Sequence, residues 1–507
     1  MSAPHSRAQP LQSSSSGLAW HNWSKTQVFY PSSVVRPRSL PELQQVVREV
    51  SARRGRLKPV ATGLSFSDIL RTDDTLVEVV GLLGEPPLGS LLPLDEELFR
   101  APLPASPLVR VPAGARIRQL NSTLAAAGLG FTNLGGYDGQ TLIGAISTST
   151  HGSGLSLAPL SDGVRALDLI ATDGVFYRVE PSVGLSDPGK YRRRYGSART
   201  LVQNDRLFRA CLVSLGCFGV IYSVVMAVSP AYRLREKRYL SRWSKLKPQL
   251  SVTGAPARCR NFELTINPYR RRDGDYDCLV TEREVAEPTA TRQPLPPERR
   301  SAESITFLAS TQREILRLMR REPSFIPGIL GTGFGALVTG ARDHVDDSYR
   351  VYNVGQLNTA DVASGEYFFP LAGGVHVTAV ERLLALVASN ARQGIYQTTP
   401  FSLRFVAGSS APLSMVRGEA HASVEIALFS DMPRVGEAQL SYERLCLELG
   451  GRPHWGQAHE LTGASGWLSR AYPALDEWLA AYRFFNAQGV FDNHFTDRLG
   501  LSALSRP

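Results

Sequence analysis

Two short stretches of small residues carry the first chemical signal in this sequence. Thr62-Gly63-Leu64-Ser65-Phe66-Ser67 follows an apolar run, and Ser147 to Gly154 holds Thr148, His151 and Gly152. Small residues let backbone N–H groups converge on an anion with no side chain in the way, so each turn suits a phosphate-bearing ligand. Either stretch alone is more often just a turn; the pair, separated by a strand–helix–strand section, says more. A second signal lies downstream, where His421, Ser423 and Glu425 alternate along an apolar run and so share one face of a strand. If that strand pairs with Ser402 to Ala407, Glu425 enters a pocket beside Arg404. A carboxylate next to a guanidinium can take a proton while the positive charge steadies a developing anion. The plainer reading of Glu425 is a charge facing water, where charged residues on strands usually sit.

The elements that must position these residues follow from periodicity. Leu43, Val46, Val47 and Val50 predict a helix within Pro41 to Arg54, and Leu57-Lys-Pro-Val60 a strand that feeds the first small-residue turn. Leu108 to Val111 reads as a strand, Ile117 to Ala127 as a helix, and Gly128 to Gly136 as a strand running into a turn. Asp173-Gly174 between apolar runs signals a hairpin. A helix at Leu207 to Leu215 and a strand at Val220 to Val228 close a first lobe near residue 230. Beyond it, strands are expected at Tyr367 to Pro370, Ser402 to Ala407 and Ala422 to Phe429, with helices at Val377 to Arg392 and Pro473 to Phe485. Strands and helices that alternate without regular βαβ spacing predict an α+β fold. The expected division is a disordered leader over 1–19, a first domain over 20–230, a second over 231–440 and a C-terminal segment over 441–507.

Composition excludes several function classes. The 507 residues carry a net charge of +10, but the basic residues fall in short scattered clusters, so no nucleic-acid partner is expected. Five cysteines with no CxxC spacing argue against a disulfide framework or a zinc site, and no metal is expected; a reducing cytoplasm fits this usage. The N-terminus lacks the basic and apolar regions of a signal peptide. The uncharged stretch Pro323 to Ala341 is interrupted by prolines and glycines and reads as a buried, loop-broken segment, not a stable membrane insertion. Within it, Gly331 to Ala336 nearly matches a dinucleotide fingerprint, but no clear strand leads into it, so its glycines are read as permitting close packing.

The stretches Pro59-Val-Ala-Thr-Gly-Leu-Ser-Phe-Ser67, Asn133-Leu-Gly-Gly-Tyr-Asp-Gly-Gln-Thr141, Gly144-Ala-Ile-Ser-Thr-Ser-Thr-His-Gly152 and Ser214-Leu-Gly-Cys-Phe-Gly-Val-Ile221 resemble the PCMH-type FAD-binding domain of the vanillyl-alcohol-oxidase superfamily. Gly450-Gly-Arg-Pro-His-Trp-Gly456 and Gly489-Val-Phe-Asp-Asn493 resemble its D-arabinono-1,4-lactone, L-gulonolactone and alditol oxidase branch. The resemblance runs from Trp20 to Leu501. It implies a two-lobed α+β fold with a substrate domain built on a large antiparallel sheet and a C-terminal segment returning to the flavin. The implied activity is oxidation of a C–OH group in a small polar substrate such as a sugar lactone or alditol. Hydride would pass to flavin N5, and oxygen or another acceptor would reoxidise the flavin. By the same resemblance Thr62, Gly63, Leu64, Ser65, Phe66 and Ser67 wrap the pyrophosphate. Gly135, Thr141, Gly144, Ala145, Ser147, Thr148, His151, Gly152, Gly219, Ile221 and Asn493 line the rest of the FAD.

Several positions depart from the family's pattern. Leu64 stands where many relatives have a histidine bonded to the flavin, which implies non-covalent FAD unless His151 is the attachment point. Gly135 occupies the position that resembles an oxygen gate; glycine there goes with oxidases, although a Gly-Gly pair is also simply a turn. Where the branch has a Glu-x-Arg pair and a His-Trp-Gly-Lys, this chain has Ser402-Leu-Arg404 and His454-Trp-Gly-Gln457. Arg404 survives, while the carboxylate has become Ser402 and the lysine Gln457, so Glu425 and His459 are the compensating candidates, with His454 beside them. An oxidase of a specialised metabolite with altered catalytic residues, or a catalytically silent FAD-binding protein, are the alternatives these changes raise.

Overall fold

The computed structural model describes residues 19–82, 90–102, 104–294, 312–336, 343–353, 361–463 and 466–505; the leader expected over 1–19 lies outside them except for Ala19. A parallel three-stranded sheet comes first. Its strands are β1 (Ser33–Val35), β2 (Leu57–Val60) and β3 (Thr75–Glu78), in the order β1-β3-β2. Helix α1 (Leu40–Ala52) links β1 to β2. Ser39 caps it by accepting from the Glu42 N–H, and Leu43, Val46, Val47 and Val50 are buried along the stripe that their spacing predicted.

A five-stranded sheet follows, built from β4 (Leu108–Pro112), β5 (Val164–Ile170), β6 (Phe176–Glu180), β7 (Arg199–Gln203) and β8 (Val220–Ala227), in the order β7-β6-β5-β8-β4. Strands β5 and β6 form the hairpin around Asp173-Gly174, with Gly174 at φ +71°. Helices α2 (Ile117–Ala126), α3 (Leu142–Ser147) and α4 (Asp205–Leu212) pack into the same core. Two expectations are corrected. The strand read over Gly128 to Gly136 shrinks to Leu129–Gly130, paired with Ser229–Pro230. The small-residue turn read from Ser147 begins later, since Ser147 is the last residue of the short helix α3, in which Thr141 caps the start and Leu142, Ile143, Ala145 and Ile146 bury one side.

The largest element is an eight-stranded antiparallel sheet. It contains β9 (Arg233–Arg242), β10 (Asn261–Ile266), β11 (Asp277–Val285), β12 (Asp343–Asp347), β13 (Val362–Pro370), β14 (Phe401–Val406), β15 (His421–Phe429) and β16 (Arg452–Pro453). Their order is β12-β9-β11-β10-β14-β15-β13-β16. Period-two alternation splits the sheet's faces. Leu264, Tyr367, Phe369, Leu403, Phe405, Val424 and Ile426 point to an apolar core closed by two helices introduced below, while Glu263, Glu366, Arg404 and Glu425 point the other way.

Two helices, α5 (Gln312–Arg321) and α6 (Ile326–Ala336), cover one end of that second face. Here the expectation of a buried broken loop is overturned. Residues 326–336 are helical, and a Cβ at Gly328, Gly331 or Gly333 would meet nothing within 4 Å, so these glycines serve no close packing. The near-fingerprint lies inside a helix, and apolar contacts of Ile326, Ile329 and Leu330 outweigh the roughly 1 kcal/mol that each helical glycine costs. Helix α7 (Val375–Arg392) is long and apolar enough by composition to cross a membrane. One of its faces, with Ala379, Val380, Leu383 and Val387, is instead buried on the sheet beside α8 (Val435–Glu448), and Glu381 pairs with Lys247 at 2.7 Å. Helix α9 (Leu475–Phe485) packs on α4, with the Trp478 indole donating to the Val213 carbonyl.

One carboxylate ties the five-stranded sheet together across its width. Asp168 on β5 accepts from Arg178 on β6 at 2.8 Å, Arg110 on β4 at 2.6 Å and Ser223 on β8 at 2.6 Å, all buried. Burial would raise its pKa, but the charges of Arg178 and Arg110 outweigh burial and hold it at about 2. Because the folded value is depressed, the stabilisation is complete above the ordinary carboxylate range and is lost as pH falls through about 2. Asp168→Asn takes the paired carboxylate from buried Arg178 and leaves Arg110 only the longer contact to Asp95 at 3.4 Å, and urea unfolding at neutral pH is expected to show a loss of roughly 3–5 kcal/mol. That loss should narrow in strongly acidic buffer; an unchanged urea midpoint at neutral pH would contradict this assignment.

Candidate active site

Two cavities meet between the five-stranded and the eight-stranded sheets. The first is a cleft of about 1050 Å³ including its mouth. Thr62, Gly63, Leu64, Ser65 and Phe66 line it from the turn after β2. Thr141, Gly144, Ala145, Ser147 and Thr148 line it from α3 and its cap, and Gly219 and Ile221 from the start of β8. Gly63 has φ +63°, a conformation glycine adopts without strain, and a Cβ there would also meet the Trp20 ring at 2.8 Å. The turn is fixed from the far end of the chain, since the Phe66 N–H donates to the Gly456 carbonyl at 2.8 Å and the Ser67 hydroxyl to the Trp455 carbonyl at 2.7 Å.

The cleft also holds a residue that the sequence left as an ordinary strand position. Lys58 on β2 is buried, and its ammonium donates to the Leu215 carbonyl at 2.8 Å and the Gly216 carbonyl at 3.4 Å, with no carboxylate in hydrogen-bond reach among the described residues. Burial pushes its pKa down. A buried cation with carbonyl partners only, in a cleft that no carboxylate lines among the described residues, fits a ligand that brings negative charge, as a pyrophosphate does.

The second cavity, about 2220 Å³ with its mouth, lies over the inner face of the large sheet. Leu64, Phe66, Gln140, Thr150, His454 and Gln457 line both cavities and mark where they join. The Gln457 side-chain oxygen is buried there with no hydrogen-bond partner, an acceptor open to a ligand's donor.

Beside the junction stands a cluster of charges. Arg404 on β14 donates to Glu425 on β15 at 2.9 Å, and Glu366 on β13 lies 3.6 Å from Arg404. The register explains the meeting: Glu425 is opposite Ser402 on one side and Glu366 on the other, while Arg404 is opposite Glu263. The other side of Glu366 faces His151, whose Nε2 is 3.2 Å away and whose Nδ1 is 2.8 Å from the Gly152 carbonyl. Burial would raise the Glu366 pKa; the charge of His151, followed by those of Arg404 and His454, holds it far below the usual carboxylate range. Glu263, next to Arg283 at 2.7 Å, is likewise held at about 2, its burial outweighed by Arg283 and Arg404. Burial would lower the Arg404 pKa, but Glu425, Glu263 and Glu366 raise it, so the guanidinium keeps its charge. Burial lowers His454 to about 4, and its Nδ1 accepts the Gly456 N–H at 3.0 Å, which leaves Nε2 as the donor.

The expected catalytic residues therefore separate. Ser402, Arg404, Glu425 and Gln457 line the second cavity together with Gly135 and His151. His459 lines neither cavity: it is buried against Trp455 and Phe495, and burial lowers its pKa to about 3. His421, though on the same strand face as Glu425, is buried and bonded to the Glu419 carbonyl. Asn493 also stands away from both cavities, its amide donating to the Ile69 and Arg71 carbonyls, so it braces the segment after the first turn. Gly152 is packed against the Leu134 carbonyl and the Asn133 side chain. Glu366 is the residue that sequence reasoning missed. The strand was read as starting at Tyr367, five residues after its true start at Val362, although the alternation Ser364, Glu366, Phe368 would have placed Glu366 on the inner face.

A small-residue cleft joined to an acid–base cavity over a large antiparallel sheet is the architecture of an FAD-dependent oxidoreductase, and the comparisons agree. The chain belongs to the D-arabinono-1,4-lactone oxidase family, whose model matches residues 224–499, and an FAD binding domain model matches residues 31–180. Among its relatives is an L-gulono-1,4-lactone dehydrogenase of Mycobacterium tuberculosis, 27% identical over 95% of this chain and 98% of that protein. An L-gulonolactone oxidase of Bos taurus is 23% identical over the same shares. The fold is shared with a solvent-stable cholesterol oxidase, at a TM-score of 0.73 and 16% identity over 97% of this chain and 98% of that one.

If Lys58 offsets the negative charge of FAD, Lys58→Met keeps the length of the side chain and removes that charge, at the cost of taking a donor from the Leu215 and Gly216 carbonyls. The variant is expected to bind FAD at least about tenfold more weakly in titrations of the apoprotein, from the loss of one charge-assisted contact. Equal affinity of the two proteins would place the cofactor's phosphates elsewhere.

Proposed function

We propose that the protein oxidises a CH–OH carbon in a sugar lactone or a similarly hydroxylated head group, with FAD held without a covalent bond and oxygen as the final acceptor. The observation that carries this reading is Arg404 flanked by Glu425 and Glu366 in a cavity that opens onto the FAD cleft. The relatives named for sugar lactones support the substrate class. Leu64 supports a non-covalent cofactor, because an alkyl side chain has no atom that can bond the flavin. Gly135 stands in the wall of the second cavity and supports oxygen as acceptor through the family resemblance.

When bound, FAD supplies the acceptor for the two electrons that leave the carbinol carbon as hydride. Thr62 to Phe66, Gly144 to Thr148 and Lys58 would hold it. The chain's own residues handle the proton. The Glu425 carboxylate is a quarter exposed into the cavity and accepts from Arg404 through one oxygen and from the Ser364 hydroxyl through the other; Glu263 is as exposed, but Arg283 and Arg404 hold it at about 2, which makes it the poorer proton acceptor. Glu366, with its side chain 4% exposed and deeply acidified, is a poor proton acceptor and instead keeps Arg404 and His151 in place. Arg404 stays charged and steadies the alkoxide as the hydroxyl proton leaves. Ser402 shapes the cavity beside them, and Gln457 offers its free carbonyl at the junction.

Removing the base should slow the chemistry and leave the cofactor in place. Glu425→Gln is expected to slow anaerobic flavin reduction by a sugar lactone at least about a hundredfold with unchanged FAD content; reduction at the native rate would assign the base elsewhere. Acid precipitation of the native holoprotein is expected to release the yellow colour to the supernatant. Colour retained in the pellet would show a covalent bond.

A further inference from the structure

The inner face of the large sheet changes character along its strands. Strands β13 and β15 pair so that Val362 is opposite Phe429, Ser364 opposite Ala427 and Glu366 opposite Glu425, three successive rungs that all face the second cavity. The rungs run from apolar through small to charged within four residues of each strand, a span of about 13 Å at strand rise. At the charged end are Arg404, His454 and the junction with the FAD cleft. The apolar end is roofed by α5 and α6, whose Met319, Ile329, Leu330 and Phe334 line the cavity, and whose Leu316, Met319 and Ile326 pack with Val362 and Phe429 in one hydrophobic cluster. Phe66 belongs to that wall as well, which continues it to the flavin side.

A free sugar lactone offers hydroxyls all round. It would leave the apolar rung and the α5–α6 roof without an apolar partner among the described residues, and burying apolar surface is what such a wall can contribute to binding. From the three-rung gradient and its apolar roof we infer that the substrate is an amphiphilic alcohol: a hydroxylated head held at Glu425, Glu366 and Arg404, joined to an apolar body that lies along the strands under α5 and α6. This rests on the reading of the second cavity as the substrate site. The reaction at the head is the same two-electron oxidation, in which the carbinol C–H leaves as hydride to the flavin, the O–H proton goes to the carboxylate and a C=O bond forms.

The test uses the FAD-loaded protein and a series of 1,2-alkanediols from 1,2-propanediol to 1,2-octanediol, with L-gulono-1,4-lactone alongside. Binding is followed by the change in the bound-flavin spectrum, and turnover by anaerobic bleaching. Each added methylene should tighten binding, with at least about a tenfold fall in Kd across the series. Leu330→Glu, at a partly buried position on the roof, should flatten that dependence. A Kd that does not fall with chain length, while the lactone bleaches the flavin, overturns the amphiphile and leaves the proposed reaction standing. If neither lactone nor any diol bleaches the flavin, yet longer diols still bind more tightly, the apolar chamber stands and the proposed reaction falls.

Discussion

A carboxylate buried on the floor of a sheet stays ionised only where a cation and polar ring nitrogens surround it, and Glu366 is the point at which this constraint organises the molecule. Its neighbours come from different parts of the chain: His151 from the segment after α3, Arg404 from β14 and His454 from the loop beyond β16. Uncompensated burial of such a charge would cost several kcal/mol, so the pairings fix how the FAD-side segments approach the large sheet. Neighbouring bonds reinforce the same seam. The Gly154 N–H donates to the Phe405 carbonyl at 2.5 Å, and the Asn261 amide donates to the Ser153 carbonyl. The junction of the two cavities therefore exists because the charges on either side require each other.

The rest of the inner face follows from the same economy of charge. Glu236 on β9 pairs with Arg283 at 2.6 Å and Arg238 at 2.8 Å, and Arg283 pairs with Glu263, so acids and bases alternate across the sheet towards Arg404. The ladder keeps one end of the face polar and ordered, while the other end of β13 and β15 is left to Val362, Phe429 and the helices above them. Polar chemistry and apolar packing thus share one surface without competing for the same positions.

Much of this was legible in the sequence, and the failures have physical causes. The turn Thr62 to Ser67, the buried stripe of α1 and the β5–β6 hairpin are written locally, in residues that interact over short separations. Glu425 was also legible, because alternation and one assumed strand pairing place it beside Arg404, and the register does pair Ser402 with Glu425. Glu366 was legible only in part: alternation with Ser364 and Phe368 would have put it on the inner face, but its role depends on a third strand and on His151, more than two hundred residues away by number. Lys58 was hidden for the same reason: its carbonyl partners Leu215 and Gly216 are far along the chain. Asn493 misled because motif resemblance records that a residue belongs to a segment, not which way its side chain points; His459, raised only as a substitute base, is a packed histidine against Trp455 and Phe495. Residues 326–336 misled because glycine-rich composition argues against a helix, while packing of Ile326, Ile329 and Leu330 decides for one.

The most direct test of the central claim compares the native holoprotein with Arg404→Met, each mixed anaerobically with a sugar lactone or a longer-chain diol while the flavin absorbance is followed. The account expects the native flavin to bleach and the variant to stay yellow with its FAD in place, because the guanidinium that steadies the alkoxide and pairs with both carboxylates is gone. Bleaching of the variant at the native rate would contradict it.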